Sequence, residues 1–191
     1  MSISLVKGQK IDITKGTGLN AVTFAMGWDK NIYDTNENFD LDIAVFLTGN
    51  NGKVTSEADF VFFNQPTHPS GAIAFSGDNT TGSGDGDDET MAVDISKIPA
   101  NIEKMSFVAT IYDAEARMQN FGMVSNAYIR AYDTNTKEEI FRFDLDEDYS
   151  LETGIVAGEL YRRNGEWKFN PVGQGFANGL ATICAQFGIT V

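Results

Sequence analysis

Apolar and polar residues alternate with a period of two along most of this 191-residue chain. Successive side chains of a strand point to opposite faces, so this alternation predicts half-buried β-strands. The alternating stretches are ISL, IDI, AVTFAM from Ala21, FDLDIAVFL from Phe39, DFVFF from Asp59, MSFVATIYD from Met105, AYIRAYD from Ala127 and EIFRFDL from Glu139. Asn164 and Gly165, between ELYRR and EWKF, are typical of a two-residue hairpin turn.

One segment near the end, FANGLATICAQFG, has helical periodicity instead. Ala177, Leu180, Cys184 and Phe187 would share one helix face, with Gly188 as the C-cap. Cys184 on that apolar face is expected to be a packed core thiol. The patterns predict a mostly β protein, a single-domain β-sandwich of two antiparallel or mixed sheets with a C-terminal α-helix.

Length and composition limit the classes of function. We expect one domain over residues 1–191, because that length can bury a core and 42 % apolar residues is a globular composition. The net charge of −13 argues against nucleic acid, anionic lipid and free oxyanions as partners, and favours cations or basic proteins. A single cysteine excludes an intramolecular disulfide. The chain shows neither a signal peptide nor an integral membrane segment, so a soluble, cytoplasmic protein is predicted.

The stretch SGDNTTGSGDGDDE, residues 76–89, combines five acidic residues with four glycines. It lies between Lys53 and Lys97, a span without any other lysine or arginine. Glycine lets the backbone turn so that carbonyls as well as carboxylates point inward. Oxygen ligands without nearby histidine or cysteine favour calcium, with magnesium second. The stretch therefore predicts a calcium loop, and a mobile acidic loop is the alternative.

Two familiar loop motifs do not fit this stretch. Asp78 and Glu89 have the spacing of an EF-hand loop, but Thr80, Gly82 and Ser83 stand where that loop needs acids and a glycine. A phosphate-binding P-loop requires Gly-Lys-Ser/Thr, which does not follow here. A single GxGxD is also too little for a calcium β-roll, which needs tandem copies.

A second pair of acids lies in FDLDIAVFL. If this segment is a strand, its apolar residues face the core, and Asp40 and Asp42 share the other face with their Cβ atoms about 7 Å apart. A cation between the two carboxylates would relieve their repulsion. The alternative is a solvated strand face.

The acidic loop, with GWD at 27–29 and FDLD at 39–42, resembles the TerD family of tellurite-resistance and general stress proteins. The resemblance covers nearly the whole chain and continues through IYDAEARMQNFG, NAYIRAYD and GELYRRNGEWKFNPVGQGFANGL. It implies a calcium-binding β-sandwich, and two separate acidic motifs favour two calcium ions over one. The implied ligands are Asp40, Asp42, Asp78, Asn79, Thr81, Gly84, Asp87, Asp88 and Glu89, with Asp29, Asp85 and Asp113 as secondary candidates.

The resemblance also implies a function. The leading prediction is a cytoplasmic stress-response protein of the tellurite-resistance type, which acts by calcium-dependent binding and assembly with other stress-system proteins and not by catalysis. Direct binding of tellurite is disfavoured, because a protein of net charge −13 repels an oxyanion.

Two alternatives belong to other classes. One is a metal-dependent or dual-carboxylate hydrolase, although no HExxH, G-x-S-x-G or Ser-His-Asp set is evident and His68 is expected in an exposed turn.

The other is a calcium-dependent module for a small ligand such as a nucleotide. Its possible anion contacts are Arg117, Arg130, Arg142, Arg162 and Arg163. For Arg130 and Arg142, however, packing of the aliphatic stem at a sheet edge is the simpler interpretation. Trp28 and Trp167 are expected in the core or at its rim.

Overall fold

The structure, a computed structural model, describes residues 2–31, 37–77, 79–84, 86–145 and 149–190. These residues form two six-stranded sheets. Sheet A contains, in spatial order, β1 (Ile3–Ser4), β10 (Glu139–Asp144), β9 (Tyr128–Asp133), β3 (Ala21–Gly27), β7 (Glu89–Asp94) and β6 (Ile73–Ser76). Sheet B contains β2 (Ile11–Asp12), β12 (Glu166–Phe176), β11 (Gly154–Arg163), β8 (Lys104–Ile111), β4 (Leu41–Thr48) and β5 (Phe60–Val61).

The described strands confirm the predicted sandwich of mixed and antiparallel sheets. Sheet A contains one parallel pair, β1 with β10, and the strands of sheet B pair antiparallel. The predicted hairpin joins β11 to β12, with φ of 54° at Asn164 and 78° at Gly165. Positive φ at both positions is the requirement of a type I′ turn. AIAFS and TMAVD, on either side of the acidic loop, form β6 and β7.

Aromatic rings from both sheets fill the space between them. Phe24 of sheet A stacks on Phe107 of sheet B, with ring centroids 3.9 Å apart, and Phe141 stacks on Phe169 at 4.3 Å. The predicted core face of FDLDIAVFL is confirmed, because each of its five residues is at most 1 % exposed. These residues are Phe39, Leu41, Ile43, Val45 and Leu47. Trp28 and Trp167 are also buried, as expected.

Helix α2 (Gly179–Phe187) packs on the outer face of sheet B. Its Phe187 ring stacks on Phe46 of β4 with centroids 4.4 Å apart, and Cys184 is fully buried, as predicted. Gly188 ends the helix with φ of 89°, which confirms the C-cap. The assignment of Ala177 to the buried face is wrong: the helix begins two residues later, Ala177 is exposed, and Ile183 is buried on this face instead.

The other helical segments are short. Helix α1 (Ala114–Arg117) follows β8, and 3-10 turns occur at Glu57–Asp59, Ile95–Lys97 and Phe121–Met123. Among the described residues, no helix has the length and apolar character needed to cross a membrane.

Candidate functional site

The predicted acidic ligands gather at one end of the sandwich, which we call the acidic end. In sheet A, β3 ends beside the start of β7, and in sheet B, β4 starts beside the end of β8. Trp28 joins the two sets, since its indole Nε1 donates to the carbonyl of Phe39 at 3.1 Å. Asp78 and Asp85 lie outside the described residues. The candidates described at this end are Asp29, Asp40, Asp42, Asn79, Thr81, Gly84, Asp87, Asp88, Glu89 and Asp113.

Asn79 organises the first half of the loop. Its Oδ1 accepts hydrogen bonds from the backbone of Thr81 and Gly82 and from the Thr81 hydroxyl, at 3.0–3.1 Å. Its Nδ2 donates to Asp88 Oδ1 at 2.5 Å. Gly82 closes the turn against Trp28: its φ is +63°, and an added Cβ would lie 2.5 Å from the indole Nε1. Asn79 and Thr81 therefore already serve the loop's own hydrogen bonding.

Asp88 lies where the loop rejoins the sheet. Its Oδ2 accepts from the backbone N–H of Trp28 at 2.9 Å, and its own N–H donates to the Met26 carbonyl at 2.8 Å. Burial raises the pKa of the Asp88 carboxyl; the Trp28 N–H lowers it, and the charges of Asp87 and Asp29 raise it further. The net pKa shift is upward, so a positive charge nearby would stabilise the ionised carboxylate.

Asp87 is held by an arginine. Arg130 donates to it through Nε at 2.7 Å and Nη2 at 2.8 Å, and the Tyr128 hydroxyl donates at 3.0 Å. The same guanidinium donates to Glu139 at 2.7 Å. Burial and the nearby Asp87 carboxylate raise the pKa of Tyr128 to about 12, so its hydroxyl stays a donor. The prediction that the aliphatic stem of Arg130 packs at a sheet edge is wrong. Strand β9 lies between β10 and β3 and is not an edge strand, and the Arg130 guanidinium binds two carboxylates.

Glu89 ties the two sheets together. Its side chain is 1 % exposed, and its Oε2 accepts from the backbone N–H of Ile43 at 2.6 Å. Glu89 belongs to β7 of sheet A and Ile43 to β4 of sheet B. Asp42 on β4 and Asp40 just before the strand both precede Ile43 and are half-buried, and the Asp40 carboxylate lies 3.7 Å from Arg117 Nη1. The start of β7 is therefore fixed to the start of β4.

Gln119 belongs to the acidic end and was not found from the sequence. It is 5 % exposed, and its Nε2 donates to the carbonyls of Glu37 at 3.3 Å and Asn38 at 3.1 Å. Its Oε1 is buried without a hydrogen-bond partner among the described residues. A glutamine in a mixed loop carries no sequence signal, but a buried acceptor without a donor is an oxygen that a cation can use.

The atoms that the described candidate residues could offer to a metal here are oxygens, which fits a hard cation such as calcium. Within the described ranges, no group of three or more Asp, Glu, His or Cys residues has the arrangement of a metal site. Two of the loop acids, Asp78 and Asp85, fall outside those ranges.

His68 is not in an exposed turn, and that expectation is wrong. It is 7 % exposed, with Nε2 3.1 Å from Asp59 Oδ1 and Nδ1 2.8 Å from Ser70 Oγ. Burial raises the pKa of Asp59, but hydrogen bonds from Thr55, His68 and Ser56 outweigh it and lower the pKa overall. The Ser70 backbone N–H donates to the same Nδ1 at 3.1 Å. The hydrogen bonds that join Asp59, His68 and Ser70 thus fix the 66–72 turn, which is mostly exposed but folds back onto β6 and buries the His68 side chain.

Comparisons with known proteins agree with this fold and with the resemblance of the sequence. A family model described as the TerD domain matches residues 1–187. General stress protein 16U of Bacillus subtilis (strain 168) is 55 % identical to this chain over 192 residues, and the match spans 100 % of both chains. The tellurium resistance protein TerD of Serratia marcescens is 47 % identical, over 99 % of this chain and 98 % of that protein. A crystal structure of a homologue of telluride resistance protein (TerD) from Streptomyces coelicolor A3(2) is similar in fold, with a TM-score of 0.72 at 22 % identity over 88 % of this chain and 96 % of that one.

Proposed function

Because the chain belongs to the TerD family of tellurite-resistance and stress proteins, we propose that it binds calcium at the acidic end. In this proposal the protein acts in the stress response by calcium-dependent binding and assembly with other proteins, and not by catalysis. It works in the cytoplasm and does not bind tellurite itself.

The observation that carries the proposal is the excess of carboxylates where β7 and β4 begin. Asp87, Asp88 and Glu89 follow one another, and Asp87 is the one that binds Arg130. Asp88 faces the charges of Asp87 and Asp29, and its raised pKa reflects burial and this repulsion. A bound cation would relieve that repulsion, which supports a metal at this position.

The residues that would hold the ion come from three segments. The start of β4 would contribute Asp42, with Asp40 just before the strand, and the loop would contribute Asp88 and the backbone carbonyl of Gly84. Gln119 Oε1 is a further candidate oxygen. Calcium, when bound, supplies positive charge and accepts six to eight oxygen ligands. The chain's own part is to bring loop and strand together, through the Glu89 bond to β4 and the Trp28 bonds to both.

Calorimetric titration with calcium of protein stripped by a chelator tests the proposal. We expect binding of one or two ions, tighter than magnesium, because the cage uses many oxygens on a flexible backbone. At a hundred times the dissociation constant, one site should add about 2.7 kcal/mol to the free energy of unfolding. For a chain of this length that raises the melting temperature by roughly 5–11 °C. No heat and an unchanged melting curve would overturn the proposal.

A pair of variants locates the site. Asp40→Asn/Asp42→Asn should weaken calcium binding and leave the fold without metal intact, because both side chains point away from the core between the sheets. Asp94→Asn is the matched control, since Asp94 lies at the opposite end of β7 beside Lys97. Equal affinity in the double variant and the control would place the metal elsewhere.

A second candidate function is calcium-dependent binding of a small anionic ligand such as a nucleotide. A groove of about 330 Å³ lies against the loop, lined by Gly84, Gly86, Tyr128 and Arg142 among others. The Arg142 guanidinium stacks 3.7 Å from the Tyr128 ring centroid. Retention of the protein on immobilised nucleotide with calcium, and release by chelator, would favour this function. Turnover of a hydrolysable substrate that Asp40→Asn abolishes would favour a hydrolase instead.

A further inference from the structure

Three exposed apolar side chains lie on two adjoining loops at the acidic end. Met118 is 84 % exposed, Leu151 72 % and Tyr112 49 %, and they are half of the six exposed large hydrophobic residues in the described part of the chain. Tyr112 and Met118 lie on either side of helix α1, and Leu151 precedes β11. Single exposed apolar residues are ordinary, but a group of them rimmed by charge is typical of a surface that another protein covers.

Hydrogen bonds hold the two loops in place. The backbone N–H of Phe121 donates to the carbonyl of Glu152 at 2.9 Å, and the last residue of β8 donates to the carbonyl of Thr153 at 3.1 Å. The backbone N–H of Tyr112 donates to the carbonyl of Asp40 at 2.8 Å, which joins the first loop to the segment before β4. The fold therefore fixes the surface that carries the three apolar residues.

Met118 breaks a local rule of helix ends. It follows the last residue of α1 with φ of 53° and ψ of 42°, in the left-handed region. Glycine is preferred at such a position, because a side chain there has a steric cost. The Met118 side chain is almost fully exposed, so packing within the protein does not offset that cost. Such an exception is expected where the side chain serves function, and the flexible, polarizable methionine is suited to a binding surface.

The charge of this surface selects the kind of partner. The two loops and the segment before β4, residues 37–42, 111–121 and 149–153, contain six carboxylates, those of Glu37, Asp40, Asp42, Asp113, Glu115 and Glu152. Their only lysine or arginine is Arg117, which lies 3.7 Å from Asp40. A partner that places lysine or arginine around apolar side chains complements both the charge and the apolar residues. An acidic partner would be repelled.

We propose that Tyr112, Met118 and Leu151 dock a basic amphipathic segment of another protein. The apolar side chains of that segment pack on the three residues, and its cations lie against the surrounding carboxylates. The inference rests on the proposed function, because it names the chemistry of a partner in the proposed assembly. Docking itself is measurable with and without calcium, since hydrogen bonds within the protein already fix the two loops.

Fluorescence anisotropy of a labelled amphipathic peptide of lysine and leucine, titrated with the protein in chelator, tests the proposal. We expect saturable binding with a Kd of about 1–100 μM. A lysine–serine peptide of the same charge and a glutamate–leucine peptide should each bind about tenfold more weakly or not at all. No binding of the lysine–leucine peptide, or equal binding of the lysine–serine peptide, overturns the proposal. In a repeat with calcium, equal affinities would contradict the calcium dependence of the proposed function and leave the docking surface standing.

The variant Met118→Gly separates docking from stability. Glycine adopts a φ of 53° without steric cost, so the melting temperature should not fall. The lysine–leucine peptide should bind about tenfold more weakly, because an apolar contact is lost, and Leu151→Ser should have a similar effect. Ile3→Ser is the matched control, since Ile3 is 43 % exposed on β1, outside the two loops. Binding that Met118→Gly leaves unchanged, or that Ile3→Ser weakens as much, would show that the peptide docks elsewhere and overturn the proposal.

Discussion

Replacing Arg130 by methionine should destabilise the protein by about 2–3 kcal/mol. Arg130 makes two hydrogen bonds to Asp87 and one to Glu139, and methionine keeps most of the side-chain volume but none of the donors. The side chain of Asp87 is 11 % exposed and that of Arg130 29 %, so the pair lies between the surface and the interior. Exposed pairs contribute about 0.2–1 kcal/mol, and breaking a buried pair costs about 3–5 kcal/mol. Asp87 would keep the Tyr128 hydroxyl, which places the loss between these limits.

Chemical and thermal unfolding in chelator measure this loss. For a chain of this length, about 2–3 kcal/mol lowers the melting temperature by roughly 4–12 °C. Arg142→Met is the matched control: Arg142 lies directly opposite Arg130 on β10 but pairs with Asp144, where both side chains are about 40 % exposed. It should cost about 1 kcal/mol or less.

A double-mutant cycle with Asp87→Asn isolates the pair itself. We expect a coupling free energy of about 1.5 kcal/mol or more between Asp87 and Arg130, because residues in one charged network are not additive. Equal losses for the two arginine variants, or additive effects in the cycle, would refute the reasoning from burial and bonding.

Three further predictions concern other parts of the structure. His68→Leu leaves one oxygen of buried Asp59 unpaired and should cost about 1–3 kcal/mol in chemical denaturation; an unchanged midpoint would contradict this. Burial raises the pKa of Cys184 to about 11, so iodoacetamide should label it only after unfolding. The thiol ionises at a lower pH in the unfolded chain than in the folded one. The free energy of unfolding should therefore fall as the pH rises from about 8.5 to 11. Gly82→Ala must displace the indole of Trp28 and should change its fluorescence; an unaltered spectrum would show that the loop accommodates the Cβ.

Local patterns were enough to predict the strands. A strand's period of two is visible in neighbouring residues, and β4 shows it most clearly, since the five apolar positions from Phe39 to Leu47 all face the core. The hairpin at Asn164 and Gly165 was equally accessible, because its turn depends on two residues alone. The helix was predicted to begin too early, since Ala177 fits the apolar period but lies two residues before Gly179, the first helical residue.

Contacts between distant segments could not be predicted in this way. Arg130 and Asp87 are 43 residues apart and meet because β3 lies between β9 and β7 in sheet A. His68 is buried because its loop folds back to Asp59, which no pattern within the loop indicates. The acidic candidate residues could be named from the sequence, but it could not be predicted that they lie together at one end, because that depends on the register of both sheets.

The edge strands of the two sheets limit how this protein can associate. Strands β1, β2 and β5, which form three of the four described sheet margins, are two residues long, and β6 at the fourth is four residues long. A chain that added to one of these outermost strands would find only two to four residues of strand backbone to pair with. Fibrillar growth by strand addition is therefore disfavoured even if the protein accumulates to high concentration. A partner must recognise side chains, on the loops at the sandwich ends or on the sheet faces.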